Sequence, residues 1–483
     1  MSSELESLAA RCIFPGFAGV TAPDWVRSWL GHGLGGVVLF GRNVQGREQL
    51  RALTRELRAE REDVLIGTDE EGGDVTRLEA VQGSSYPGNY ALGVIDDPAL
   101  TESVAAAIAA DLAEVGVNLN LAPVVDVNSN PDNPVIGIRS FGSEPALVAR
   151  HAEAFVTGTQ ETGVAACAKH FPGHGDTALD SHKELPVVTA DRETLLAREL
   201  PPFRAAIAAG VRAIMTAHVL VPALGEGPAT LSSEILRGLL REELGFGGMA
   251  MTDALEMRAI SATIGVEEAA VRALVAGADA LCLGADLGAD EVARSCSAIV
   301  EAVRSGRLGE ERLREAARRV AETAEWTLRT TSSEVDRGIG AAAASRALEV
   351  HGKVALARPP LVVELWPEAS IAAGEARHGL GDALRAHAPS IEVIRLREAP
   401  EDPAAGLGGR DRQLVIVTRD AHRHSWERAA AEGLLEGAHD AIVVETGIPL
   451  WHPRASAGYV ATHGFARVNL EAAAERIAGA AAV

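Results

Sequence analysis

The sequence predicts an α/β protein: a TIM-like (β/α)8 barrel followed by a smaller α/β sandwich domain. Three observations carry this. Short apolar, β-branched runs alternate with Ala/Leu/Arg-rich helical stretches, the pattern of parallel strands joined by helical crossovers. Polar residues cluster at the ends of those runs, as they do at the C-terminal rim of a barrel, where active sites are built. The chain has 483 residues, enough for a barrel of roughly 250 residues and a second unit.

The runs in order are GGVVLFGRN from Gly35, VLIGTDEEGG from Val64, VNLNLAPVVDVN from Val117, VAACAKHFPGHG from Val164, VRAIMTAHV from Val211, GGMAMTDALEM from Gly247 and ADALCLG from Ala278. A short segment, IGIRSFG at Ile136, makes the eighth unit. PALTESVAAAIAADLAEVG and LSSEILRGLLREELG are among the intervening helices. A doubly wound open sheet is the runner-up. The run ends carry Arg42, Asn43, Asp69, Asp126, Lys169, His170, His218 and Asp253. EERLREAARRVAETAEWTL closes the barrel, which is assigned residues 1–329. RTTSSEVDRG reads as a linker and, with the helix AAAASRALEV, fills 330–359. Four further runs, LVVELW, IEVIRL, QLVIVTRD and DAIVVETG, precede the helix NLEAAAERIAG and place the sandwich at 360–483.

Composition narrows the function classes. The net charge is -22, from 45 basic and 67 acidic residues, which argues against a protein that tracks nucleic-acid phosphates with a basic face. With 47% hydrophobic and 23% charged residues the chain is an ordinary folded protein. Cys12, Cys167, Cys282 and Cys296 are scattered without CxxC spacing and are expected as free buried thiols. Neither a secretory h-region nor a run of about 18 apolar residues is seen, so membrane association is not expected and cytoplasm is the default. Lysine is rare: Lys169, Lys183 and Lys353 stand among the 45 basic residues, and two of them fall in one segment.

That segment, KHFPGHGDTALDSHKELP from Lys169 to Pro186, is the densest polar cluster. His170 and His174 have HxxxH spacing, but Phe171, Pro172 and Gly173 between them break a helix, which argues against a helical metal site. A loop that satisfies its own backbone is a second reading, most apt for His174. Acid/base chemistry is the third. Asp180 and His182 lie two apart, and a carboxylate beside an imidazole fixes its tautomer and stabilises the imidazolium. Imidazole titrates at about 6.5, so it both donates and accepts near neutral pH. A nucleophile is then needed. Asp253, at the end of an apolar strand, is the candidate; a helix N-cap is its bland alternative, and Glu256 the competing carboxylate.

KHFPGHGDTALDSHKELP resembles the signature of glycoside hydrolase family 3, β-N-acetylglucosaminidase branch. LFGRN, TDEEGGDVTRL, LAPVVDVN, IGIRSFG, MTAHV, the PATLS and LGFGG stretches and TDALEM extend the resemblance, in family order, over nearly all of residues 30 to 290. The segments after Pro360 resemble the family's second domain more loosely. The resemblance implies Asp253 as the nucleophile that forms a covalent glycosyl-enzyme, and Asp180 with His182 as the acid/base pair. It implies Asp69, Arg77, Arg139, Lys169 and His170 as the residues that hold sugar hydroxyls; salt-bridged scaffold is the other reading of Arg77 and Arg139. It implies no metal and no cofactor.

The substrate implied is a saccharide with terminal β-linked N-acetylglucosamine, from peptidoglycan fragments or chitooligosaccharides. TDALEM departs from relatives that carry Asp or Ser just after the catalytic Asp. His422 and His424 in RDAHRHSWE are read as surface residues. Phosphorolysis by the same residues is the alternative, because neutral His182 would not repel phosphate as a carboxylate would. A β-glucosidase of the same family and a non-catalytic sugar-binding protein complete the set.

Overall fold

Eight short parallel strands follow chain order: β1 (Ile13–Pro15), β2 (Gly36–Leu39), β3 (Leu65–Thr68), β4 (Leu119–Asn120), β5 (Ala165–Phe171), β6 (Ala213–Thr216), β7 (Met249–Thr252) and β8 (Leu281–Gly284). The computed structural model describes residues 4–180, 184–285, 288–328, 335–368, 372–374, 378–388, 390–398 and 412–479. Strands β2 to β7 form one ladder, and β1 pairs with β8. A parallel bridge between Met251 and Ala280 ties β7 to β8. Among the described residues no ladder joins β1 to β2, so the barrel is a curled sheet with one seam. Phe14 fills that seam: a Cβ on Gly35 would stand 3.1 Å from its ring, and one on Gly36 would strike it. The Gly35–Gly36 pair is there for close approach.

All eight strands send side chains into one core that includes Phe14, Val38, Leu65, Leu119, Ala165, Cys167, Met215, Met251 and Cys282. Side chains alternate along a strand. The inward row of β5 runs Ala165, Cys167, then Lys169. Those of β3 and β7 pass from Leu65 through Gly67 to Asp69, and from Met249 through Met251 to Asp253. Each row is apolar at its start and ionic at the C-terminal rim.

One expectation is corrected. IGIRSFG is not a strand; Gly137–Arg139 is a single 3-10 turn, with Gly137 at φ 47. The eighth strand is the three-residue Ile13–Pro15, too short to show a period.

The chain divides into two units: Met1–Glu71, Pro98–Ile136 and Gly142–Asp336 form the first, and Gly72–Asp97, Gly137–Phe141 and Arg337–Val483 the second. The second holds β9 (Glu349–Gly352), β10 (Pro360–Leu365), β11 (Glu392–Leu396), β12 (Gln413–Thr418), β13 (Ile442–Glu445) and β14 (Gly458–Ala461), in sheet order β11-β10-β12-β13-β14-β9. β9 runs antiparallel to β14, and the other strand pairs are parallel.

Alternate residues serve opposite faces. Val362, Val415, Val417 and Val444 pack with the helix Arg467–Ala478, and Val363, Ile416 and Val443 with the helix Ser425–Leu435. Burial on both faces explains why the central strands read as continuous apolar runs. The sheet has two strands more than the four expected. β9 is a half-exposed edge and β14 opens on a glycine, so neither presents an apolar run. His422 and His424 are half-buried, not open surface residues. No helix among the described residues is long and apolar enough to cross a membrane.

Candidate active site

The first unit gathers its ionic side chains at the C-terminal ends of β3, β5 and β7. Lys169 is buried, and its Nζ lies 2.7 Å from Asp69 Oδ1 and 2.7 Å from Glu71 Oε1. Asp253 follows β7. Its N–H donates to the Thr216 carbonyl at 3.2 Å, and its Oδ1 accepts the Ala254 N–H at 2.8 Å. The three rows meet at one place, as the buried thiols beneath them show. Burial, against the pull of Lys169 and with Asp69 and Asp253 adding to it, pushes the Cys167 thiol up to about 12. Cys282 is raised by burial, then by Asp253, with Asp69 and Glu256 adding to it.

Asp253 is not a helix N-cap, since the next helix, Arg258–Ile264, begins after Met257. Glu256 is turned away to the end of β8, where Oε1 accepts the Ala285 N–H. His218, past β6, is buried between Thr230 Oγ1 at 2.9 Å and the Ala254 carbonyl at 3.0 Å, and so braces the residue after Asp253.

His170 and His174 are organised by Asp126. Its carboxylate accepts from the His170 N–H at 3.2 Å, from the His174 N–H at 2.7 Å, and from His170 Nδ1 at 2.7 Å. Burial pushes the Asp126 carboxyl up, but the His170 ring and the His174 ring and N–H outweigh it and hold it below the usual range. A carboxylate that accepts several N–H groups is the favoured form. His174 is pushed down to about 4 by burial and by His170, and its Nδ1 meets Thr177 Oγ1 at 2.8 Å. It is a neutral ring that holds the loop.

Asp126→Asn places an NH2 against an N–H donor in a buried network, so roughly 3 kcal/mol of stability should be lost. Urea denaturation measures it, and an unchanged midpoint would mean that Asp126 does not organise this loop.

Asp180 is partly exposed, and its carbonyl accepts the Glu184 N–H at 3.0 Å. His182 and Lys183 lie outside the described residues. Arg77 and Arg139 belong to the second unit. Arg77 Nη2 donates to the Ala372 carbonyl at 2.9 Å; Arg139 is buried, and its carbonyl accepts from Asn89 Nδ2 at 2.8 Å. Asn43, one of the polar run ends, is a backbone staple, donating to the Phe17 and Gly19 carbonyls at 3.0 and 2.7 Å. Sequence reasoning missed Glu71 as a partner of Lys169, although it stands two residues from Asp69 in TDEEGG. Among the described residues no group of three or more His, Cys, Asp or Glu side chains is arranged to hold a metal ion.

Comparison with known proteins gives a consistent picture. Residues 19–323 match the sequence profile described as the glycosyl hydrolase family 3 N terminal domain. A beta-hexosaminidase A of Pseudoalteromonas piscicida is 40% identical over 268 residues, which cover 51% of this chain and 45% of that one. A beta-hexosaminidase of Methylococcus capsulatus is 40% identical over 249 residues, covering 51% of this chain and 74% of the relative. Among solved structures, a glycoside hydrolase family 3 beta-N-acetylglucosaminidase from Paenibacillus sp. str. FPU-7 superposes with a TM-score of 0.89 at 34% identity, over 99% of this chain and 97% of the other.

Proposed function

Because the chain belongs to glycosyl hydrolase family 3, we propose that it is a retaining exo-glycosidase that releases terminal β-linked N-acetylglucosamine. The observation that carries the reading is Asp253: a carboxylate at a strand end, on the same rim as a lysine held between two further carboxylates. Protonated His182 gives its proton to the glycosidic oxygen while Asp253 attacks the anomeric carbon. Neutral His182 then takes a proton from water, which displaces Asp253 and returns the sugar with its configuration retained. Asp180 fixes the imidazole tautomer and offsets its charge. Asp69, Lys169 and His170, with Arg77 and Arg139 at the matching family positions, hold the sugar hydroxyls and orient the ring. Peptidoglycan fragments in the cytoplasm, or chitooligosaccharides, are the natural substrates under this reading.

Phosphate is the one competing acceptor with a physical argument behind it, since a neutral imidazole raises no charge barrier against it. Product analysis on an N-acetylglucosaminide decides between them. Free N-acetylglucosamine, first formed as the β anomer, is expected with and without phosphate. Accumulation of the sugar 1-phosphate would make the reaction phosphorolysis.

A further inference from the structure

The helix Arg192–Arg198 meets the helix Leu200–Ala208 at Glu199, a carboxyl that is 1% exposed. It lies directly under the loop that leaves β5. A Cβ on Gly173 would stand 2.6 Å from Glu199 Oε2 and 2.8 Å from its Cβ, so the loop backbone rests on this side chain. Gly173 also has φ 130, a conformation that only glycine adopts readily. Arg198 joins the same two elements, with Nε 2.6 Å from Glu199 Oε1 and Nη2 2.7 Å from Asp176 Oδ2. Glu199 Oε2 is buried and has no hydrogen-bond partner among the described residues. On its other side the loop hangs from Asp126. The segment 170–176 is therefore gripped twice, once by Asp126 and once by Glu199 with Arg198, four residues before Asp180.

We propose that Glu199 is a positioning residue for the loop leading to Asp180, acting through the backbone of Gly173 and through the Arg198–Asp176 bridge. The proposal rests on the assignment of Asp180 and His182 as the acid/base pair. Glu199 touches no reacting atom. A bulky buried carboxyl there is informative because an apolar side chain would fill the same space without leaving an oxygen unpartnered.

The grip depends on pH. Burial pushes the Glu199 carboxyl up to about 7, against the pull of Arg198; the other charged groups facing it, Asp126 and Asp176, push the same way as burial. A carboxyl raised in the packed state favours packing while it is protonated. Its contribution is whole below the ordinary glutamate range and is lost as pH rises to about 7. The loop is held most firmly on the acidic side, where a histidine acid is also protonated.

The test compares the full-length wild type with Glu199→Gln, which keeps shape and removes the charge. Amide hydrogen exchange of a peptide covering 171–180 is followed from pH 5 to 8, corrected for intrinsic rates. Exchange should quicken in the wild type with a midpoint near pH 7 and stay flat in the variant. Glu199→Ala, which removes the support under Gly173, should lower kcat/KM on an N-acetylglucosaminyl disaccharide about ten- to a hundredfold, while kcat/KM on an activated aryl glycoside holds. Asp176→Asn, at a half-exposed site, cuts the other arm of the bridge and should reproduce a weaker form of the same split even if Glu199→Ala folds poorly. Matching exchange profiles in wild type and Glu199→Gln, or equal losses on both substrates, would overturn the proposal. If the exchange switch is present but His182→Ala shows no leaving-group dependence, the acid/base assignment fails instead, and the catalytic half of this proposal goes with it.

Discussion

Asp253→Ala should lower kcat on an activated aryl β-N-acetylglucosaminide by about ten-thousandfold or more, the scale seen when a nucleophile is deleted from a covalent mechanism. Ladder pairing of Met251 with Met215 and of Thr252 with Thr216 fixes β7 up to the residue before Asp253. The Asp253 N–H is tied to Thr216, and the Ala254 N–H orients one of its oxygens. The carboxylate is thus preorganised by backbone bonds that survive the substitution, so the variant should keep its melting temperature while losing turnover. Alanine also leaves room beside the anomeric carbon. A small anion such as azide should enter there and restore release of the aryl group, forming a glycosyl azide of inverted, α configuration. Wild-type-like activity without azide would remove Asp253 from the nucleophile role. A β azide would mean that a carboxylate elsewhere still forms the covalent sugar.

Much of this site was legible because a strand has period two. Leu65, Gly67 and Asp69 share one face of β3, and Met249, Met251 and Asp253 one face of β7, so an apolar run ending in a carboxylate already says where that carboxylate points. Lys169 follows from Cys167 by the same rule. What escaped the reading depends on contacts distant in sequence. Ile13–Pro15 is a strand only because β8 pairs with it. Arg139 looked like part of a barrel strand, whereas its segment is a turn that packs with the second unit. Glu199 stands in an unremarkable helical stretch, and its importance comes from Gly173, which no local pattern links to it.

His182→Ala should separate substrates by their leaving groups. A sugar alkoxide is a poor leaving group and needs a proton as the bond breaks; an acidic phenol leaves without one. General acid assistance is worth about a hundred- to ten-thousandfold, so kcat/KM on an N-acetylglucosaminyl disaccharide should fall by that factor. On an activated aryl glycoside kcat/KM should hardly change, because it reports only formation of the glycosyl-enzyme. The same imidazole must then activate water, so its loss should slow the second step and let the covalent sugar accumulate. Rapid mixing should therefore show a burst of phenol close to one equivalent, followed by slow turnover. The two observations are independent consequences of one residue acting first as acid and then as base. A uniform fall in kcat/KM without a burst would fit a binding role and take the acid/base assignment away. An unperturbed imidazole titrates at about 6.5, against about 4.3 for a glutamate, so a histidine acid would keep part of its protons at neutral pH without the strong burial that a carboxyl would need.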